Sequence, residues 1–211
     1  MHSRSTKLVL FSPFIIITVN IVVAIIFGKI IEKWAFIPII LIEWCLFMYF
    51  IIKYGGKESI KKWLKKSDKK WGWKILCLLV GILPLPIFLK YNILLEGWTI
   101  WLPWLLLAVI NPWLEEFYWR GLLSDYTKNW NATVSVFFTS FVFSANHLVF
   151  GINSILFRGP EVFFSTLIMG IVWAVTYKKT NSLRWVIFSH FLVDFLNLSV
   201  PAFLELFQPT W

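Results

Sequence analysis

From residue 8 to residue 204 the chain is a train of apolar runs, each about as long as the hydrocarbon core of a bilayer is thick. A spanning helix needs roughly 20 mostly apolar residues. Seven segments qualify: 8–28, 34–53, 75–95, 98–124, 133–150, 161–177 and 183–204. A soluble fold of 211 residues has nowhere to bury them, because hydrophobic residues make up 59% of the chain and charged residues only 15%. Soluble domains carry about 45–50% and about 25%. The expected fold is an all-α polytopic membrane protein. It is a bundle of about seven transmembrane helices, with a range of six to eight, and one basic surface helix.

The surface helix is expected over residues 56–74, with Ile60, Trp63, Leu64 and Trp71 on its apolar side. Nine lysines lie between Lys53 and Lys74. Such a cluster beside a span points to anionic lipid headgroups at residues 53–74 and not to nucleic acid. With the N-terminus inside, Arg4, Lys7, those nine lysines, Lys128, Lys178, Lys179 and Arg184 collect on one face, against Lys29, Lys33, Lys90 and Arg158 on the other. Fifteen against four places the N-terminus in the cytoplasm. The basic start and long apolar run lack an A-x-A-like cleavage site and read as a retained first span. Cys45 and Cys77 give neither a disulfide framework nor a metal spacing. Segment 98–124 contains Asn111-Pro112, so it is either one kinked helix or a short segment followed by a new helix from Pro112.

Ionisable groups inside spans are costly and mark function by default. They are Glu43, Glu115, Glu116, Arg120, His147, His190 and Asp194. All but Glu43 lie in the C-terminal half, in three short clusters. Glu116 and Arg120 stand at i, i+4 and can pair on a helix. Glu115 is turned about 100° away and is free for another task. His147 ends the second cluster, Phe143-Ser144-Ala145-Asn146-His147. His190, Asp194 and Asn197 share one helical face. Each cluster alone could be a self-satisfied packing element. Glu43 reads as a polar interhelical contact or a snorkelling group.

Glu-Glu-x-x-x-Arg, Phe-x-x-x-His and His-x-x-x-Asp after a Thr-x-Ser-Leu turn together resemble the CPBP family, the CAAX proteases and bacteriocin-processing (Abi) proteins of the membrane. The matching residues are Glu115, Glu116, Arg120, Gly121, Phe143, His147, Thr180, Ser182, Leu183, His190 and Asp194. The resemblance covers about 111–198. It implies a catalytic helical core at 98–204, preceded by helices and the basic segment at 1–95, within a single membrane domain. It implies an intramembrane endopeptidase acting on small hydrophobic peptides or membrane-protein tails. Glu115 would be the base that activates water and His147 would share that water. Glu116 and Arg120 would support Glu115, while His190 and Asp194 would stabilise the oxyanion. Donors fixed there are worth roughly 2.7–4 kcal/mol each. Asp194 departs from the asparagine common in eukaryotic members; it donates only when protonated, so orienting His190, with Asn197 nearby, is its other role.

Glu115, His147 and His190 also form a His₂Glu set that could ligate catalytic zinc. The compact H-E-x-x-H spacing is absent, and the metal-free route is the expectation. Helix rise of about 1.5 Å per residue puts Glu115 near the inner side of a straight 98–124 span and His147 near the outer side, so a meeting requires adjustment. The Lys- and Ile-rich composition suggests a bacterial plasma membrane, where bacteriocin immunity or peptide processing fits. A transporter component or a non-catalytic scaffold retaining the polar cluster is the competing reading.

Overall fold

A computed structural model describes residues 2–207, with side chains from Ser5 onward. The described residues form helices and no strands, as lipid demands: without water, backbone donors and acceptors must satisfy one another. Helix α1 (His2–Ile31) is followed by a 3₁₀ turn, Glu32–Ala35, and α2 (Phe36–Phe50). Glu32 at φ 51° breaks the helix. Asn20 meets Glu43 across the break, so the two helices form an antiparallel hairpin. Along α1, Val9, Ser12, Ile16, Asn20 and Val23 are buried, while Phe11, Ile15, Val22 and Ile26 are exposed. Spacings of three, four and seven residues in the two sets give one packed face and one lipid face.

A π turn (Ile51–Gly55) leads to α3 (Gly56–Trp63), and α4 (Trp71–Gly81) and α5 (Leu85–Tyr91) follow. The basic segment 56–74 is therefore not one helix, and Trp63 does not lie on a membrane-facing side. Backbone acceptors that would continue the helix are taken by a distant turn. Leu183 N–H donates to Trp63 O at 2.8 Å, Arg184 Nε to Leu64 O at 2.7 Å and Ser182 Oγ to Lys65 O at 2.7 Å. Asp68 N–H closes the seam on Thr180 O. The Thr-x-Ser-Leu element thus ends α3. Trp63 is fully buried, its Nε1 donating to Asp125 Oδ2 at 3.0 Å. It lies flat on Gly121, where an added Cβ would come within 2.8 Å of the indole.

Helix α6 (Trp98–Glu116) runs unbroken through Pro103 and Pro112, so no new helix starts at Pro112. It continues as a π turn, Phe117–Leu122, into α7 (Leu123–Tyr126). Then come α8 (Ala132–His147), capped by Asn131 Oδ1 on Thr133 N–H, and α9 (Pro160–Thr180), which ends at left-handed Asn181. The last expected span, 183–204, is two short helices, α10 (Arg184–Leu196) and α11 (Ser199–Phe203), broken at Leu198, φ 53°. Four helical runs are long and apolar enough to cross a membrane by length and composition: Ser5–Trp63, which holds the α1–α2 hairpin, Trp71–Leu95, Ala132–Ile152 and Pro160–Thr180. The segments carrying Glu115, Glu116 and His190 are not among them by that measure of length and composition. Helix α10 packs between α6 and α4, and α9 packs on α8 and α4.

Candidate active site

The two adjacent glutamates face different partners because one residue turns a helix by about 100°. Glu116 is fully buried and its Oε1 takes two donors: Arg120 Nη1 at 2.9 Å and His190 Nδ1 at 2.7 Å. The Glu116–Arg120 pair is thus a three-member junction that ties α10 to α6. Arg120 is also fully buried. Its guanidinium lies 3.9 Å from the Phe143 ring centroid and 5.2 Å from that of Trp173. Gly170 makes room for it: a Cβ there would sit 3.1 Å from Arg120 Nη2. The Trp173 ring stacks on His190 at 4.5 Å, so the imidazole is fixed from its face as well as from Nδ1.

Glu115 looks toward the other side of α10. Asn111, one turn earlier, donates through Nδ2 to Glu115 Oε1 at 3.1 Å and to Asp194 Oδ2 at 3.1 Å. Asp194 Oδ1 lies 3.6 Å from His190 Nε2, within ion-pair range and beyond hydrogen-bond range. Glu115 Oε2 is buried without a hydrogen-bond partner. Asn197 bonds none of these groups; its Oδ1 is also buried and unpartnered, at the end of α10.

His147 reaches the cluster by pointing backward. Helical side chains lean toward the N-terminus, and His147 Nδ1 bonds Phe143 O at 2.9 Å. The Phe143 ring, 4.4 Å from the His147 ring and 6.2 Å from that of His190, joins the two. This lean supplies part of the adjustment in depth that the sequence requires. No direct hydrogen bond or ion pair links His147 to Glu115 among the described residues. The zinc set Glu115, His147 and His190 does not come together as ligands either: no three His, Cys, Asp or Glu side chains among the described residues are grouped to hold a metal ion.

Three amides take part to which the motif assigns nothing. Asn111 was detectable as i, i+4 to Glu115. Asn20 stands alone in the apolar run Ile15–Ile25, and Asn146 directly precedes His147. Asn146 Nδ2 donates to Glu43 Oε1 at 2.5 Å and Asn20 Nδ2 to the same atom at 3.2 Å. Glu43 is 1% exposed, an interhelical contact and not a snorkelling group.

Acids, imidazoles and amides gathered between helices of an apolar bundle give an all-α membrane protein a polar interior. Residues 97–196 match the family described as Rce1-like, type II CAAX prenyl endopeptidase Rce1-like. Over that segment, just under half of the chain, the protein is similar to the type II CAAX prenyl endopeptidases. Comparison with curated proteins and with solved structures gives no match.

Proposed function

We propose that the protein is a glutamate-type intramembrane endopeptidase that cleaves small hydrophobic peptides or membrane-protein tails. The observation that carries this reading is Glu115: one carboxylate oxygen is held by Asn111, and the other is buried with no partner. A base needs such an atom within hydrogen-bond reach of its water, about 2.6–3.2 Å. Glu115 takes a proton from a water shared with His147. The hydroxide oxygen bonds to the scissile carbonyl carbon, and the carbonyl oxygen becomes the oxyanion. His190 donates Nδ1–H to Glu116, and an imidazolium there has Nε2–H to give to the oxyanion. Asp194, held by Asn111, orients His190 and does not itself donate. On collapse the C–N bond breaks and the proton on Glu115 passes to the leaving nitrogen.

This route uses no metal, and zinc held by the two histidines and Glu115 is the reading it competes with. The exposed lysines of 53–74 meet anionic headgroups. Bacteriocin immunity or peptide processing in a bacterial plasma membrane is the setting that fits the composition. The test is reconstitution in liposomes with internally quenched hydrophobic peptides and mass-spectrometric identification of products. Cleavage lost in Glu115→Gln supports the proposal; wild-type-like cleavage in that variant refutes it.

A further inference from the structure

The segment that matches the protease family begins at residue 97, yet the cluster around His147 is completed by two helices that precede it. Glu43 on α2 is a buried carboxylate whose bonded partners are amides: Asn146 Nδ2 at 2.5 Å and Asn20 Nδ2 at 3.2 Å. Asn20 Nδ2 also lies 3.2 Å from Asn146 Oδ1, so three helices close a ring of polar contacts. Both ends of the Asn146 amide are held. Burying a carboxylate for packing alone is costly, and an apolar side chain would fill that place at lower cost.

We infer that Glu43 is a positioning residue for His147, acting through Asn146. Asn146 and His147 are neighbours in the last turn of α8, after which the chain changes to a 3₁₀ turn, Leu148–Ile152. The helical run continues past this turn to Ile152, and the turn carries a side chain whose placement decides where Nε2 points. Its other nitrogen, Nδ1, is already taken by Phe143 O. The clamp from α1 and α2 holds the turn that carries the imidazole through Asn146. The inference rests on the reading of His147 as the residue that shares water with Glu115.

The test uses the full chain in detergent, with histidine-selective isotope labels and the His147 ring signals assigned by His147→Gln. Glu43→Ala shifts or broadens those signals and lowers kcat on the quenched peptide by about 10-fold or more, with KM nearly unchanged, as displacement of a reacting group does. Glu43→Gln restores both, because its amide oxygen accepts the same Asn146 N–H. If Glu43→Ala does not insert, Asn20→Ala loosens the same clamp from α1 and moves the same signals by less. Unmoved His147 signals in Glu43→Ala or Asn20→Ala overturn the inference, as does a Glu43→Gln variant no better than Glu43→Ala. Ring signals need no turnover. Full activity in Glu115→Gln therefore defeats the catalytic reading separately, and the signals still decide whether Glu43 positions His147.

Discussion

Asn111 Nδ2 stands 3.1 Å from Glu115 Oε1 and 3.1 Å from Asp194 Oδ2, so one amide group keeps two carboxylates from facing each other unscreened. Removing it leaves two buried acids with no donor between them. Hydrogen bonds to charged groups contribute about 1.5–3 kcal/mol. Asn111→Ala is therefore expected to lower kcat by about 10- to 100-fold. Asn111→Asp, which adds a third acid, should be worse. Cleavage rates of the two variants in the same vesicles check the order.

Glu115→Gln and His147→Ala should abolish cleavage and leave the melting temperature within a few degrees of wild type. Neither residue supports the Glu116 junction, and Glu115→Gln keeps its size. A loss of stability equal to the loss of activity would place both residues among the packing elements.

The Glu116–Arg120–His190 junction behaves differently. Breaking a buried pair strands a charge at about 3–5 kcal/mol. Glu116→Ala and Arg120→Ala should lose activity together with stability, read as a lower melting temperature in detergent. Equal melting temperatures in all four variants would remove this division of labour.

Metal dependence separates the two chemistries of the same residues. Activity should survive prolonged chelation, and purified protein should hold far less than one metal ion per chain by elemental analysis. Stoichiometric zinc, with activity lost on removal and regained on return, assigns the reaction to the competing mechanism.

Lys33, in the 3₁₀ turn between α1 and α2, holds Glu205 at 2.7 Å, and the Ile155 N–H also donates to that carboxylate. The Lys33 hydrogen bond leads in holding Glu205 below the usual glutamate range. A depressed folded value means stabilisation that is present above the unfolded pKa and lost as pH falls through the folded one. The pair is partly exposed, so its worth is about 0–1 kcal/mol. Glu205→Gln should cost that much at neutral pH and nothing in strong acid, as pH-dependent melting would show.

The helical membrane fold and its order of helices were legible because lipid forces long apolar runs into helices. The order of the polar clusters was legible because Glu116–Arg120 and His190–Asp194 follow helical spacing. The partners across helices were not. No local spacing links His190 to Glu116, 74 residues away, or Asn20 to Asn146, 126 residues away. The end of α3 at Trp63 was hidden for the same reason: its terminator is a turn 120 residues later, and the lysines that follow have good helix propensity. The short C-terminal pair α10–α11 was hidden by hydrophobicity alone, which does not separate a lipid-facing helix from one enclosed by others.

The π turn at Phe117–Leu122 has an implication for how such a chain tolerates length change. A π turn bonds i to i+5 and so holds one residue more than an α-helix over the same stretch. The segment can be read as an α-helix with a single inserted residue that never left. Deleting one residue between 117 and 122 would let the ladder close as an α-helix, with the ends of the segment little moved. The same deletion would rotate Arg120 and Gly121 relative to Glu116 and Trp63, unlocking the junction and the tryptophan seat in one event. A one-residue deletion in this turn therefore removes two contacts that substitution would have to remove one at a time.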